Sequence, residues 1–157
     1  MTSKELKIAY QEFTSISELG QMDRKAAEAA VEAVSLSYAP YSKFNVGAAV
    51  MLEDGTVIKG SNQENAAYPS GLCAERTAMF YAGSAYPEKR MVLIAIAAGK
   101  DGVLCKEPAS PCGACRQVMA QYQTKSGAPI SILLVGSEKI WKFEKVNDLL
   151  PLIFDSI

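Results

Sequence analysis

The sequence predicts an α/β fold, a sandwich of helices around a mixed β-sheet. Three observations predict it. An alanine-rich amphipathic stretch, Met22–Ser37, has Asp23 near its start and reads as a helix. Two strand-like runs, Val46–Leu52 and Thr56–Gly60, flank Glu53-Asp54-Gly55, whose Asp-Gly is a strong hairpin signal. Two further apolar runs, Met91–Ala98 and Pro129–Val135, suit strands buried on both faces.

The remaining elements follow in order. Pro40 and the aromatic-polar stretch Tyr38–Phe44 end the first helix. Asn62–Leu72 is polar, contains Pro69 and Gly71, and reads as a long functional loop. Cys73–Ala85 has helical spacing through Ala74, Ala78, Met79 and Ala82. Asp101–Pro111 is a second loop, Gly113–Tyr122 a short helix, and Asn147–Ile153 a terminal helix interrupted at Pro151. No repeat or linker divides the 157 residues, so one domain is expected over residues 22–157, after an arm or extra element over residues 1–21.

Composition narrows the partners. Nearly half the residues are apolar (49%), 21% are charged, and the net charge is −1, the profile of a soluble globular domain. A nucleic-acid partner is disfavoured, because the densest basic stretch, Glu88–Arg90, itself contains an acid. The longest apolar run is Met91–Ala98, far short of the roughly 20 residues a membrane helix needs. No signal-like segment opens the chain, so a cytoplasmic location is expected. There thiols stay reduced, and four cysteines point to metal or catalysis before disulfides. The chain has no histidine, so a metal must be held by sulfur or carboxylate.

Two short motifs carry the chemistry: Cys73-Ala74-Glu75 and Pro111-Cys112-Gly113-Ala114-Cys115, each at the head of a predicted helix. Cys112 and Cys115 lie one helical turn apart, which brings both sulfurs to one side. Helix N-termini favour the thiolate, the form that binds metal. With Cys73 the protein offers three ligands, and a catalytic zinc leaves its fourth position for water. Arg76 and Arg116, each beside a ligand, are placed to donate to the sulfurs and offset their charge. Glu75 is too close in sequence to Cys73 to share the metal but can reach its water as a proton carrier. Other readings stand beside this one at this stage. Cys-x-x-Cys also serves as a redox pair, Cys105 would complete a closed four-sulfur structural site, and Glu75 would serve as a helix-start acid.

Four ordered blocks make the sequence resemble the small homotetrameric cytidine deaminases over roughly Met22 to Phe154. They are Phe44-Asn45-Val46-Gly47-Ala48-Ala49, Gly60 to Tyr68 (GSNQENAAY), Cys73 to Ala78 (CAERTA), and Ser110 to Gln117 (SPCGACRQ). The resemblance implies a three-layer α/β/α sandwich around a mixed five-stranded sheet, one Zn2+ per chain on Cys73, Cys112 and Cys115, and Glu75 as the catalytic proton carrier. It implies that Phe44 packs on the pyrimidine ring, that Asn62 and Glu64 bind the ribose 3′-hydroxyl, and that Ala74 contacts the substrate. Tyr68 and Phe154 become contacts across subunits of a homotetramer with composite active sites, Phe154 capping a pocket.

The reaction implied is hydrolysis of cytidine and 2′-deoxycytidine at C4 to uridine, or deoxyuridine, and ammonia, in pyrimidine salvage. A deaminase of an analogue such as blasticidin S, and a non-catalytic zinc-stabilised binding protein, are the rival readings. Two features depart from the family's usual pattern: Pro69-Ser70-Gly71-Leu72, with Leu72 set to shape the pocket edge, and the longer arm before Met22.

Overall fold

The computed structural model describes residues 1–155. Its strands are β1 (Gln11–Phe13), β2 (Phe44–Leu52), β3 (Val57–Ser61), β4 (Met91–Lys100), β5 (Val103–Leu104), β6 (Ser131–Val135) and β7 (Ile140–Phe143). Its helices are α1 (Gln21–Val34), α2 (Ala74–Ala85) and α3 (Gly113–Ser126). The sheet runs β1-β7-β6-β4-β2-β3, with β5 paired on β4. Among the described strands β4 and β6 alone pair in parallel, and the other strand pairings are antiparallel. A parallel pair needs a crossover, and α3 supplies it.

The period of two along each strand divides the sheet into two faces. On one face Ala49 and Met51 of β2, Leu93, Ala95 and Ala97 of β4, and Leu133 of β6 pack with Ala26, Ala27 and Ala30 of α1. On the other, Ala48, Val50, Ile94, Ile96, Ile132 and Leu134 pack with Ala78, Met79 and Ala82 of α2 and Met119 and Ala120 of α3. The expected three-layer α/β/α sandwich is therefore present. Seven strands replace the expected five, because the short β1 and β5 add to a core of β2, β3, β4, β6 and β7.

Close approach of backbones sets the layer spacing. A methyl group on Gly47 would lie 2.2 Å from the Ala30 carbonyl oxygen, so α1 rests directly on β2. One on Gly60 would lie 2.5 Å from the Ala78 nitrogen and 2.7 Å from the Ala74 oxygen. Gly60 thus fixes α2 against β3, and with it the height of Cys73 and Glu75. The hairpin turn contains Gly55 at φ +83°, as the Asp-Gly signal requires.

One predicted element differs. Asn147–Ile153 forms no α-helix; only a single 3₁₀ turn, Val146–Asp148, is present. Pro151 lacks an N–H and leaves too few residues before it for a helix to nucleate. The arm adds strand β1 to the sheet edge, Gln11 opposite Lys142 and Phe13 opposite Ile140. Tyr10 stacks on Phe143 at 5.4 Å between ring centroids, and Trp141 Nε1 donates to Glu12 Oε2 at 2.8 Å.

Candidate metal centre and active site

Cys73 and Cys112 are the residues that cap α2 and α3, both in extended conformation. Neither side chain caps its helix, which leaves both sulfurs free to turn towards each other. Cys115 follows one turn into α3 and is fully buried. Both helices lie on the same face of the sheet, so their starts meet and the three sulfurs come within 4.8 Å of one another. Cys73 Sγ is 3.9 Å from Cys112 Sγ, which is 3.4 Å from Cys115 Sγ.

These separations fit zinc. Tetrahedral coordination with Zn–S bonds of about 2.3 Å puts neighbouring sulfurs about 3.8 Å apart. Among the described residues no fourth Cys, Asp or Glu joins the group. Cys105 stands apart, its amide on the Ala98 carbonyl and its carbonyl accepting from the Ser137 amide. No described cysteine is in a disulfide. The closed four-sulfur site does not match this arrangement, and the convergence of Cys73 on the Cys112–Cys115 pair is what a metal needs and a two-cysteine redox pair does not.

The electrostatics suit a metal as well. Hydrogen bonds from the Cys115 thiol, then from the Arg76 guanidinium and the Cys112 thiol, hold the Cys73 thiol down at about 5 against the cost of burial. Cys115 moves the opposite way, as the partner that keeps its proton. Arg76 Nη2 lies 3.6 Å from Cys73 Sγ, the contact expected of it. Arg116 behaves differently: its Nε donates to the Pro111 carbonyl at 2.9 Å and its Nη1 to the Leu149 carbonyl at 2.8 Å. These two carbonyls take the fork that sequence adjacency suggested for sulfur, and Arg116 instead binds the start of α3 to the C-terminal segment.

Glu75 occupies the first turn of α2 and is only 4% exposed. Desolvation raises its carboxyl above the ordinary range, and the negative Cys73 adds to the rise. A buried carboxyl beside three sulfurs, with its proton affinity increased, is suited to accept and return a proton. Ala74, also buried, lies between Glu75 and Cys73 in the chain.

A cavity of about 490 Å³ reaches the cluster at Cys73 and is lined also by Arg76, Asn62, Glu64, Tyr68 and Leu72, while Cys112, Cys115, Ala74 and Glu75 lie outside its lining. Asn62 Oδ1 accepts from the Val46 amide, and its Nδ2 donates to the Phe44 carbonyl, 2.8 and 2.9 Å. Phe44 is partly exposed at the start of β2, outside the lining of the cavity. Phe154 is also outside it and 69% exposed; its carbonyl accepts from Gln117 Nε2 at 2.6 Å. Tyr41 and Ser42 line the cavity too, and sequence reasoning missed them. Their position three and two residues before Phe44 was the available signal.

A buried acid, three convergent sulfurs and an adjoining cavity define a hydrolytic metal site. Comparison with known proteins agrees. Residues 21–127 match the model for the cytidine and deoxycytidylate deaminase zinc-binding region. Over 101 residues the chain is 50% identical to a cytidine deaminase of Halalkalibacterium halodurans, covering 64% of this chain and 72% of that protein. A cytidine deaminase of Sporosarcina psychrophila is 50% identical over 86 residues, covering 55% of this chain and 59% of that one. The crystal structure of cytidine deaminase from Burkholderia pseudomallei superposes with a TM-score of 0.68 at 39% identity, over 83% of this chain and 97% of that one. That from Mycobacterium tuberculosis gives a TM-score of 0.64 at 31% identity, over 84% and 96%. The chain belongs to the cytidine and deoxycytidylate deaminase family.

Proposed function

We propose that this protein deaminates cytidine and 2′-deoxycytidine hydrolytically, giving uridine or deoxyuridine and ammonia, with one zinc ion per chain. The observation that carries the reading is the meeting of Cys73, Cys112 and Cys115 at two helix starts, with buried Glu75 in the same turn as Cys73. The rival reading, a non-catalytic zinc-stabilised protein, leaves the burial of Glu75 without a use. Burying a carboxyl costs stability and is retained where it has work to do.

Cys73, Cys112 and Cys115 would hold the metal, and Arg76 would offset the charge of Cys73. When bound there, zinc supplies the Lewis acidity that makes water a competent nucleophile near neutral pH. Glu75 takes the proton from the attacking water, delivers it to N3 of the ring, and assists departure of the 4-amino group as ammonia. Asn62 and Glu64, which line the cavity, bind the sugar 3′-hydroxyl, and Phe44 and Ala74 contact the base.

The same reading treats residues 22–157 as the catalytic domain and residues 1–21 as an accessory arm. It makes the protein a homotetramer with composite sites, because Tyr68 and Phe154 present large aromatic surfaces that its own fold leaves open. It also sets the enzyme in the cytoplasm, where four thiols stay reduced. Among the described residues no helix is long and apolar enough to cross a membrane.

The test is a near-ultraviolet absorbance assay on cytidine, deoxycytidine, adenosine and blasticidin S, paired with zinc quantification and light scattering. Turnover confined to the two cytidine nucleosides, with one zinc per chain, is expected. Zinc-loaded protein that turns over none of the four overturns the reading.

A further inference from the structure

The loop from Ala39 to Phe44 makes contacts that substrate recognition by Asn62 and Glu64 does not by itself explain. Glu64 Oε2 accepts from the amides of Tyr41, at 2.9 Å, and Ser42, at 3.3 Å. Among the described hydrogen bonds Oε1 has no protein donor. The Ser42 hydroxyl beside this carboxylate, followed by the two amides, holds the Glu64 carboxyl below its ordinary range while desolvation opposes them. The same hydroxyl accepts from the Phe44 amide at 3.0 Å. Phe44 then accepts from Asn62 Nδ2 through its carbonyl.

The chain Glu64–Ser42–Phe44–Asn62 therefore joins both polar residues of the proposed sugar site to the start of β2. Lys43 closes the loop in the left-handed region, φ +59°, its amide on the Ala39 carbonyl at 3.1 Å. Left-handed backbone is uncommon for a residue with a side chain, and it persists where surroundings hold it.

We infer that Ser42 is a positioning residue for sugar recognition: it commits one oxygen of Glu64 to the loop and leaves the other to accept a sugar hydroxyl. A carboxylate already fixed and ionised loses less freedom when the hydroxyl arrives, and it accepts a stronger hydrogen bond than a neutral acid would. The inference rests on reading the cavity as a nucleoside pocket.

The experiment compares wild type, Ser42→Ala and Ser42→Thr as zinc-loaded enzymes on cytidine and 3′-deoxycytidine, with uridine and 3′-deoxyuridine binding measured by calorimetry. Ser42→Ala should raise KM for cytidine about tenfold, the effect of one well-placed hydrogen bond to a charged group, with kcat nearly unchanged. KM for 3′-deoxycytidine should hardly move, since that substrate has no hydroxyl for Glu64 to receive. Ser42→Thr, which keeps the hydroxyl, should restore cytidine KM. Uridine affinity should fall in parallel with cytidine KM and 3′-deoxyuridine affinity should not. Equal losses on both nucleosides, or an unrescued Ser42→Thr, overturn the inference while leaving deaminase activity established. A wild-type enzyme that neither turns over cytidine nor binds uridine overturns the function and this inference together.

Discussion

Cys73 Sγ and Cys112 Sγ lie 3.9 Å apart although 39 residues separate them in the chain. The separation is closed by β4, which carries the chain from the end of α2 towards the start of α3. Each sulfur sits at a helix start, so small movements of either helix would open the cluster. Metal binding and the docking of α2 and α3 are coupled for that reason.

Removal of ligands should separate the three cluster cysteines from Cys105. Cys73→Ser or Cys112→Ser should lower zinc well below one per chain. Cys105→Ser should keep one zinc per chain, because Cys105 lies outside the sulfur group. A strong chelator should lower the melting temperature of wild type and of Cys105→Ser alike. Atomic spectroscopy and thermal melts check each outcome.

Glu75→Gln keeps the size of the side chain and removes its ability to carry the proton. Turnover of cytidine should fall on the order of 10²–10⁴-fold or more, the usual contribution of a positioned acid–base group. Zinc content should stay at one per chain. Fold should be kept or slightly strengthened, since a buried carboxyl becomes a neutral amide. Rates from the absorbance assay, read beside metal content, check this.

The motif residues were legible because their chemistry is local. Cys112 and Cys115 share a helical turn, so spacing alone orients them, while Cys73 meets them only through the fold. The continuous apolar run of β4 was legible too, since Leu93, Ala95 and Ala97 face α1 while Ile94 and Ile96 face α2 and α3. The strand β7 was not. Ile140-Trp141-Lys142-Phe143 is short, and its pairing with β6 and β1 supplies what its own pattern lacks. Arg116 misled for a similar reason. Its neighbour in sequence is a ligand, but its reach is decided by the Pro111 and Leu149 carbonyls, and the second of these is brought near only by the fold.

The two arginines should accordingly behave differently. Arg76→Ala removes the contact to Cys73 Sγ and should lower kcat while leaving the melting temperature close to wild type. Arg116→Ala removes two hydrogen bonds to backbone carbonyls and should destabilise the fold by about 2–3 kcal/mol. Paired kinetics and thermal melts of the two variants check the contrast.

Gly60→Ala and Gly47→Ala are equally small changes on opposite faces of the sheet. Each places a methyl group against helix backbone that cannot yield cheaply, at a cost of about 1–3 kcal/mol. Gly60→Ala pushes on Ala74 and Ala78, so zinc content and cytidine turnover should fall along with stability. Gly47→Ala pushes on α1, and its zinc content should remain near one per chain at temperatures where it is folded. Metal analysis of both variants distinguishes site displacement from loss of stability.

Trp141 is the sole tryptophan and reports on the arm. Its indole nitrogen donates to Glu12, and its ring centroid is 5.6 Å from that of Tyr10. Three strand pairings and these contacts hold β1 to the edge of the sheet, away from the sulfur cluster. An element with so few buried contacts should detach before the core unfolds. Deleting residues 1–13 should therefore shift tryptophan emission to the red, as water reaches the indole. Cytidine turnover and zinc content should be retained, because every metal ligand and cavity residue lies beyond that segment. In denaturant, wild type should show the emission shift at lower concentration than the loss of far-ultraviolet circular dichroism. Coincident transitions would instead mean that β1 is part of the cooperative core.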